Sequence, residues 1–229
     1  MALLFLCRLI FTLLIRLPIA RQKPFDRQCV IALAVQDYED NIIRVILEVD
    51  MSEKKTKTRG RILDAANAAL ISRGPDRPSV NEIMGAAGLT VGGFYAHFDS
   101  KEALMLEAFQ GLLSQRRASV AQIDEQLPGH ERRALLAAFY LSRKHRDATS
   151  DACPLPSTVG EMSRLPESFQ AVLAEHLEMM VAQLSSGPED ADKVLADVAL
   201  MVGGLTLARA LGNGDLSDRV LRAAKSAVI

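Results

Sequence analysis

The chain has 229 residues, 49% of them apolar and 24% charged, which suits one large globular domain or two small ones with a sizeable core. Its three cysteines, Cys7, Cys29 and Cys153, are odd in number and show no Cys-x-x-Cys or Cys/His spacing. That argues against a disulfide framework and a zinc site, and makes a reducing cytoplasm the expected compartment. The formal net charge of −1 hides an uneven distribution: residues 51–101 carry eight Lys/Arg against five Asp/Glu, the first fifty residues balance at six of each, and the remainder is net negative. Excess positive charge in one short segment is what a DNA-contacting module requires, although ordinary fluctuation accounts for it equally well.

Residues 1–50 differ in character from the rest and are expected to be an N-terminal extension outside the functional fold. The run "MALLFLCRLIFTLLIRLPIA" is apolar but interrupted by Arg8 and Arg16, so no uncharged stretch reaches the ~18–20 residues of a membrane helix. A membrane or interfacial anchor over residues 1–20 and an ordered extra element are the competing readings. Met51 opens "MSEKKTKTRGRILDAA", a basic arm leading into an amphipathic helix, and resembles a natural start.

Beyond Met51 the periodicity is helical almost throughout, and strand-type alternation bounded by hairpin turns is missing. A first helix is predicted from Thr56 to Arg73, with Ile62, Leu63, Ala66, Ala69 and Leu70 on one face and Gly74 ending it. Ser79 followed by Glu82 has the spacing of a capping box and opens a short second helix to Ala87. Gly88 suits a tight turn, and Thr90 is the expected N-cap of a third short helix ending at His97. Asp99 or Ser100 caps a fourth, expected to continue to Gln126. Further helices are predicted over Glu131–Arg146, Ser157–Arg164, Pro166–Leu184, Pro188–Leu211 and Leu216–Ala227. The predicted fold class is all-α: an N-terminal three-helix helix-turn-helix DNA-binding domain over residues 51–101, and a C-terminal helical effector-binding and dimerisation domain over residues 102–229.

Two short helices joined by a glycine turn, after a longer helix and beside a basic arm, form a helix-turn-helix, whose second helix enters the major groove. Gly92 and Gly93 fall in that helix, where each costs about 0.8–1 kcal/mol relative to alanine. They either admit DNA backbone or base edges closely or allow tight packing within the protein. Thr90 at the helix start, Tyr95, His97 and Lys101 offer donors to phosphate, and Lys57 and Arg59 on the arm add charge.

The stretches "KTRGRILDAANAALISRG" and "SVNEIMGAAGLTVGGFYAHFDSKEAL" resemble the DNA-binding domain of TetR-type (tetracycline-repressor-like) transcriptional regulators, over about residues 56–113. The resemblance implies a homodimeric, ligand-responsive regulator, most often a repressor, with double-stranded operator DNA and a small-molecule effector as partners. It further implies that Ser79, Thr90, Tyr95, His97 and Lys101 contact mainly the DNA backbone, that Val91, Gly92 and Gly93 face bases, and that Phe94 and Phe98 are core. The chain departs from many such regulators in having no long donor at 91–93, so bidentate guanine readout by Arg or Lys from those positions is absent. Apolar contact, backbone donors or DNA shape would carry specificity instead.

Resemblance weakens beyond Leu113. Val198, Met201, Val202, Gly203, Leu205 and Ala208 form an apolar stripe expected at the dimer interface, with burial inside one subunit as the alternative. Phe139, Tyr140, Cys153, Met162, Phe169, His176, Met179 and Met180 are the candidate effector-pocket lining, with ordinary core as the alternative. Cys153 lies ahead of a predicted helix, where a thiolate is stabilised, so a thiol-based redox or electrophile sensor is a second reading of function. An enzyme using Cys153 with His145 or His176 has no supporting motif, and no catalytic residue, metal or cofactor is expected. Nor is a membrane partner; the protein is expected in the cytoplasm, at the nucleoid.

Overall fold

The computed structural model describes residues 52–149 and 152–229; the expected extension, the anchor reading of residues 1–20 and the start at Met51 lie outside the described residues. All regular structure among the described residues is helical, and Lys54–Ile229 form one compact unit. Helix α1 (residues 52–73) buries Ile62, Ala66 and Leu70 completely, one residue per turn on a single face. It ends where Gly74, at φ +79°, donates its N–H to the Leu70 carbonyl at 2.9 Å. Helix α2 (Val80–Ala86) is opened by the Ser79–Glu82 capping box with both reciprocal bonds present. The Ser79 backbone N–H, then Arg73 and the Ser79 hydroxyl, hold the Glu82 carboxyl down at about 2.

The turn after α2 places Gly88 at φ +66°, a conformation that costs a side-chain-bearing residue but not glycine. Arg61 of α1 reaches across and donates to the Ala87 carbonyl at 2.5 Å, tying this turn to the first helix. The third segment departs from expectation. It is a 3₁₀ helix, Val91–Ala96, and the Thr90 side chain makes no capping bond. Two adjacent glycines and a single buried anchor, Phe94, give a full α-helix little support. Phe94 and Phe98 stack at 6.0 Å and fix the segment to the core.

Helix α3 (Lys101–Val120) starts on the Ser100 hydroxyl, which accepts the Ala103 N–H at 3.1 Å, and stops short of the predicted Gln126. The predicted helix over 131–146 is broken in two, α4 (Gly129–Tyr140) and α5 (Arg143–Asp147). The Ser142 hydroxyl accepts the His145 N–H at 3.1 Å and so starts a new helix instead of continuing the old one. Helix α6 (Leu155–Thr158) runs into a 3₁₀ turn, Val159–Arg164. Then come α7 (Glu167–Leu184), a 3₁₀ turn at Pro188–Asp190, α8 (Ala191–Ala210) and α9 (Asp215–Val228).

Helix α3 packs on α7, with Phe109 and Phe169 stacked at 5.7 Å. Helices α8 and α9 cross closely at Gly204, where a Cβ would lie 2.8 Å from that of Ala224. A buried ion pair ties α4 to α8: Arg133 Nε lies 3.1 Å from Asp197 Oδ2, and Lys193 also binds that carboxylate. The α6 region meets α1 directly. Ser157 Oγ donates to the Leu70 carbonyl at 2.8 Å, and a Cβ on Gly74 would come within 2.7 Å of the Ser157 carbonyl and the Glu161 carboxylate.

Candidate nucleic-acid interface and effector cavity

The 3₁₀ helix Val91–Ala96 carries the candidate reading surface. Val91 is 40% exposed and Tyr95 72%, and Thr90 and Gly92 are exposed beside them. Neither glycine adopts positive φ. A Cβ built on Gly92 would meet nothing within 4 Å, and one on Gly93 would meet only the Met84 methyl at 4.0 Å, an ordinary contact. Intramolecular packing and backbone geometry therefore leave room for alanine at both positions.

The surrounding polar candidates divide. Lys57 is exposed. Arg59, by contrast, donates from both Nη atoms to the Glu107 carboxylate, each at 2.6 Å, and lies 4.5 Å over the Phe98 ring. Its reading as a DNA-contacting arm residue gives way to one that clamps α1 to α3, because a bidentate partner and an aromatic face already occupy the guanidinium. Lys101 Nζ donates to the Asp76 carbonyl at 2.7 Å and stands 3.9 Å from the Asp76 carboxylate, which takes up charge otherwise offered to a phosphate. The Ser79 hydroxyl donates to Glu82 and accepts from its N–H, so its geometry serves the helix start. His97 is half-buried, with Nδ1 lacking a partner. Arg77 is likewise exposed, two residues ahead of the α2 N-cap.

The effector-pocket candidates converge only in part. A cavity of about 350 Å³ is enclosed by α3, α4, α7 and α8 together with the loop before α6. Phe139, Tyr140, Cys153, His176 and Met180 line it. Phe169 instead stacks in the core, Met162 lies in a separate groove beside Leu173, and Met179 is exposed. One helical face can point only one way: with Met180 and His176 turned inward on α7, Met179 is carried outward. Reasoning from sequence also missed Arg116, Val120, Leu136, His145 and Leu155, which come from elements whose meeting no local pattern announces.

The residues expected at the dimer interface lie mostly inside the subunit. Val198, Met201, Leu205 and Ala208 are buried within the subunit, and Val198, Met201 and Val202 line the cavity. Only Gly203 of that set is exposed, with nothing within 4 Å of a Cβ. The outward face carries Leu200, Leu207 and, beyond the helix end, Leu211, with Leu207 58% exposed.

Cys153 is buried, and burial pushes its thiol up. That is the reverse of the lowering that favours a reactive thiolate. His145 binds backbone on both sides of its ring. Its Nδ1 sits 2.8 Å from the Tyr140 carbonyl and must donate to it, while Nε2 accepts the Cys153 backbone N–H at 3.0 Å. The ring holds the loop, in its neutral form. His176 is pushed down to about 4 by burial and by nearby Arg117, whose Nη1 lies 3.3 Å from Nδ1. Among the described residues no group of three or more His, Cys, Asp or Glu could hold a metal ion, and no helix is long and apolar enough to cross a membrane.

The comparisons agree with this geometry. Residues 62–108 match the family model for bacterial regulatory proteins of the tetR family, a span from the buried face of α1 into α3. The uncharacterized HTH-type transcriptional regulator YerO of Bacillus subtilis (strain 168) is 28% identical over 166 residues, covering 68% of this chain and 54% of that one. The HTH-type transcriptional repressor KstR2 of Rhodococcus jostii (strain RHA1) is 38% identical over 64 residues, 28% of this chain and 31% of the relative. The matches thus span about half or less of these curated relatives. The crystal structure of E. coli NemR in its reduced form has the same fold, with a TM-score of 0.64 at 18% identity over 75% of this chain and 95% of that one. Residues 62–108 thus form a helix-turn-helix of the tetR family, and the all-helical chain as a whole resembles regulators of that kind.

Proposed function

We propose that this chain acts as a homodimeric repressor that reads operator DNA with Val91–Ala96 and is released by a small molecule held in the cavity. The observation that carries the DNA reading is the Gly92–Gly93 pair: on an exposed segment, free of positive φ and not required by packing. A side chain there would not strain the fold, and a bare backbone permits close approach to phosphates or base edges. Tyr95 and Thr90 flank it, and Lys57 and Arg77 supply charge. In this reading Leu200, Gly203, Leu207 and Leu211 form the two-fold contact, with recognition segments one DNA turn, about 34–36 Å, apart.

Besides α3, which carries both Arg116 of the cavity and Glu107 paired with Arg59, one stretch links the cavity to the DNA-binding unit. Cys153 and Leu155 line the cavity, and Ser157, two residues on, bonds the last turn of α1. A ligand that shifts Leu155 displaces the support of the DNA-binding unit, and operator affinity falls by the ligand's differential affinity for the two arrangements. Selection of bound duplexes from a random pool, followed by titration of the selected DNA at several salt concentrations, tests the reading. A selected sequence bound with a negative salt slope supports it; no enrichment over the starting pool refutes it.

A further inference from the structure

If the cavity is the effector site, its walls also specify the chemistry of the effector, an inference that rests on that reading of the cavity. None of the sixteen residues lining the cavity is Asp or Glu. Its walls are apolar except at a few points, which include the donors of Tyr140, Arg116 and His176; the Ser119 hydroxyl there already donates to the Gln115 carbonyl. Tyr140, only 9% exposed, lines it, and its hydroxyl has no hydrogen-bond partner of proper geometry among the described residues, although it lies beside the Cys153 thiol. Such a buried hydroxyl is uncommon in a folded protein unless a further group satisfies it. Arg116 contributes a guanidinium to the same lining. Close by stands half-buried Arg209, which donates to the backbone carbonyls of His145 (3.1 Å) and Arg146 (3.2 Å) and pairs with no carboxylate among the described residues. Its positive field reaches both Tyr140 and Cys153. His176, neutral and accepting from Arg117 at Nδ1, keeps its proton on Nε2, which makes it a further donor in the wall.

We propose that the cavity takes an apolar monocarboxylate, its hydrocarbon or aryl body among Leu136, Phe139, Met180 and Met201, and its carboxylate accepting from the Tyr140 hydroxyl in the field of Arg116 and Arg209. The carboxylate supplies the acceptor that the Tyr140 hydroxyl lacks and the negative charge that the Arg209 guanidinium favours. An alkylammonium of the same shape would bring a further cation and no acceptor. A volume near 350 Å³ lies at the lower end of the ~300–1,000 Å³ range of small-molecule sites.

The test is calorimetric titration of the full chain with decanoate, decan-1-ol and decylamine below their micellar concentrations, and with biphenyl-4-carboxylate as the aryl counterpart. At least one carboxylate should bind roughly tenfold or more tightly than the alcohol, with the amine weakest. Tyr140→Phe should weaken the carboxylate about tenfold and leave the alcohol unchanged. Val202→Phe, which fills the cavity from α8, should abolish binding of both. Equal or better binding of the amine or alcohol, no binding of either carboxylate, indifference to Tyr140→Phe, or full carboxylate binding to Val202→Phe would each overturn the proposal. Anisotropy with selected operator DNA separates this from the effector reading. Tyr140-dependent carboxylate binding without DNA release keeps the ligand class and removes the effector role. DNA release by a ligand that is not a carboxylate does the opposite.

Discussion

The exposed Val91–Ala96 segment and the buried cavity depart from the demands of folding in opposite directions. At the surface, side chains are missing where the fold has room for them: Gly92 and Gly93 have space for a Cβ at ordinary φ. In the interior, a polar group is buried without a hydrogen bond of proper geometry: the Tyr140 hydroxyl, beside the Cys153 thiol. Local choices and packing agree at the Ser79–Glu82 box and the Arg59–Glu107 pair. Both candidate sites thus include a residue that its own structure does not explain, one by absence and one by excess.

Variants at residues the fold does explain should behave as stability mutants, which sets the scale. Asp197→Ala leaves buried Arg133 with only the more distant and more exposed Asp190 carboxylate, 3.7 Å away, and should cost about 3 kcal/mol in denaturant unfolding. Loss below 1 kcal/mol would mean that the pair is not as desolvated as its burial shows. The next largest effect is acid sensitivity from His176. Its folded value of about 4 lies below the ordinary 6.5, so its contribution to stability is present above pH 6.5 and lost as pH falls toward 4. The amount is on the order of 3 kcal/mol, and His176→Gln should flatten that part of the pH–stability curve.

Leu207→Asp tests the outward face of α8. It should shift the chain toward monomer in sedimentation by about 2 kcal/mol of association free energy while leaving the melting transition of the subunit intact. A subunit that unfolds instead would place Leu207 in the fold. Ser157→Ala removes one neutral hydrogen bond to Leu70, worth about 1 kcal/mol. It should leave operator binding measurable and reduce the DNA release caused by any cavity ligand. Unaltered release would move the coupling route away from this contact.

The DNA-binding end was legible because its signals are local. A capping box, a glycine turn and the Phe94/Phe98 pair each act within a few residues, and the short helix between the glycine turn and Ser100 differs only in its winding. In the body, the periodicity through Val198, Met201, Leu205 and Ala208 marks one apolar face of α8. It cannot say whether that face meets another subunit or the helices of its own. Burial decides it: these residues are inside, and the weaker series at Leu200, Leu207 and Leu211 is outside. The cavity was half-visible for the same reason, since α7 residues one position apart, Met179 and Met180, differ only in which side the helix turns to α3. Arg59 and Lys101 read as free cations because their partners, Glu107 and Asp76, lie 48 and 25 residues away.

The central claim is that Gly92 and Gly93 are set by an outside partner and not by the fold. Gly92→Ala measures it most directly, in paired thermal unfolding and operator titration. The account predicts stability unchanged or raised by up to about 1 kcal/mol, because alanine is the better helix residue, together with a loss of operator affinity of roughly tenfold or more, since an added methyl blocks close approach. Affinity equal to that of the parent chain, or a loss of stability in place of a loss of binding, would contradict it.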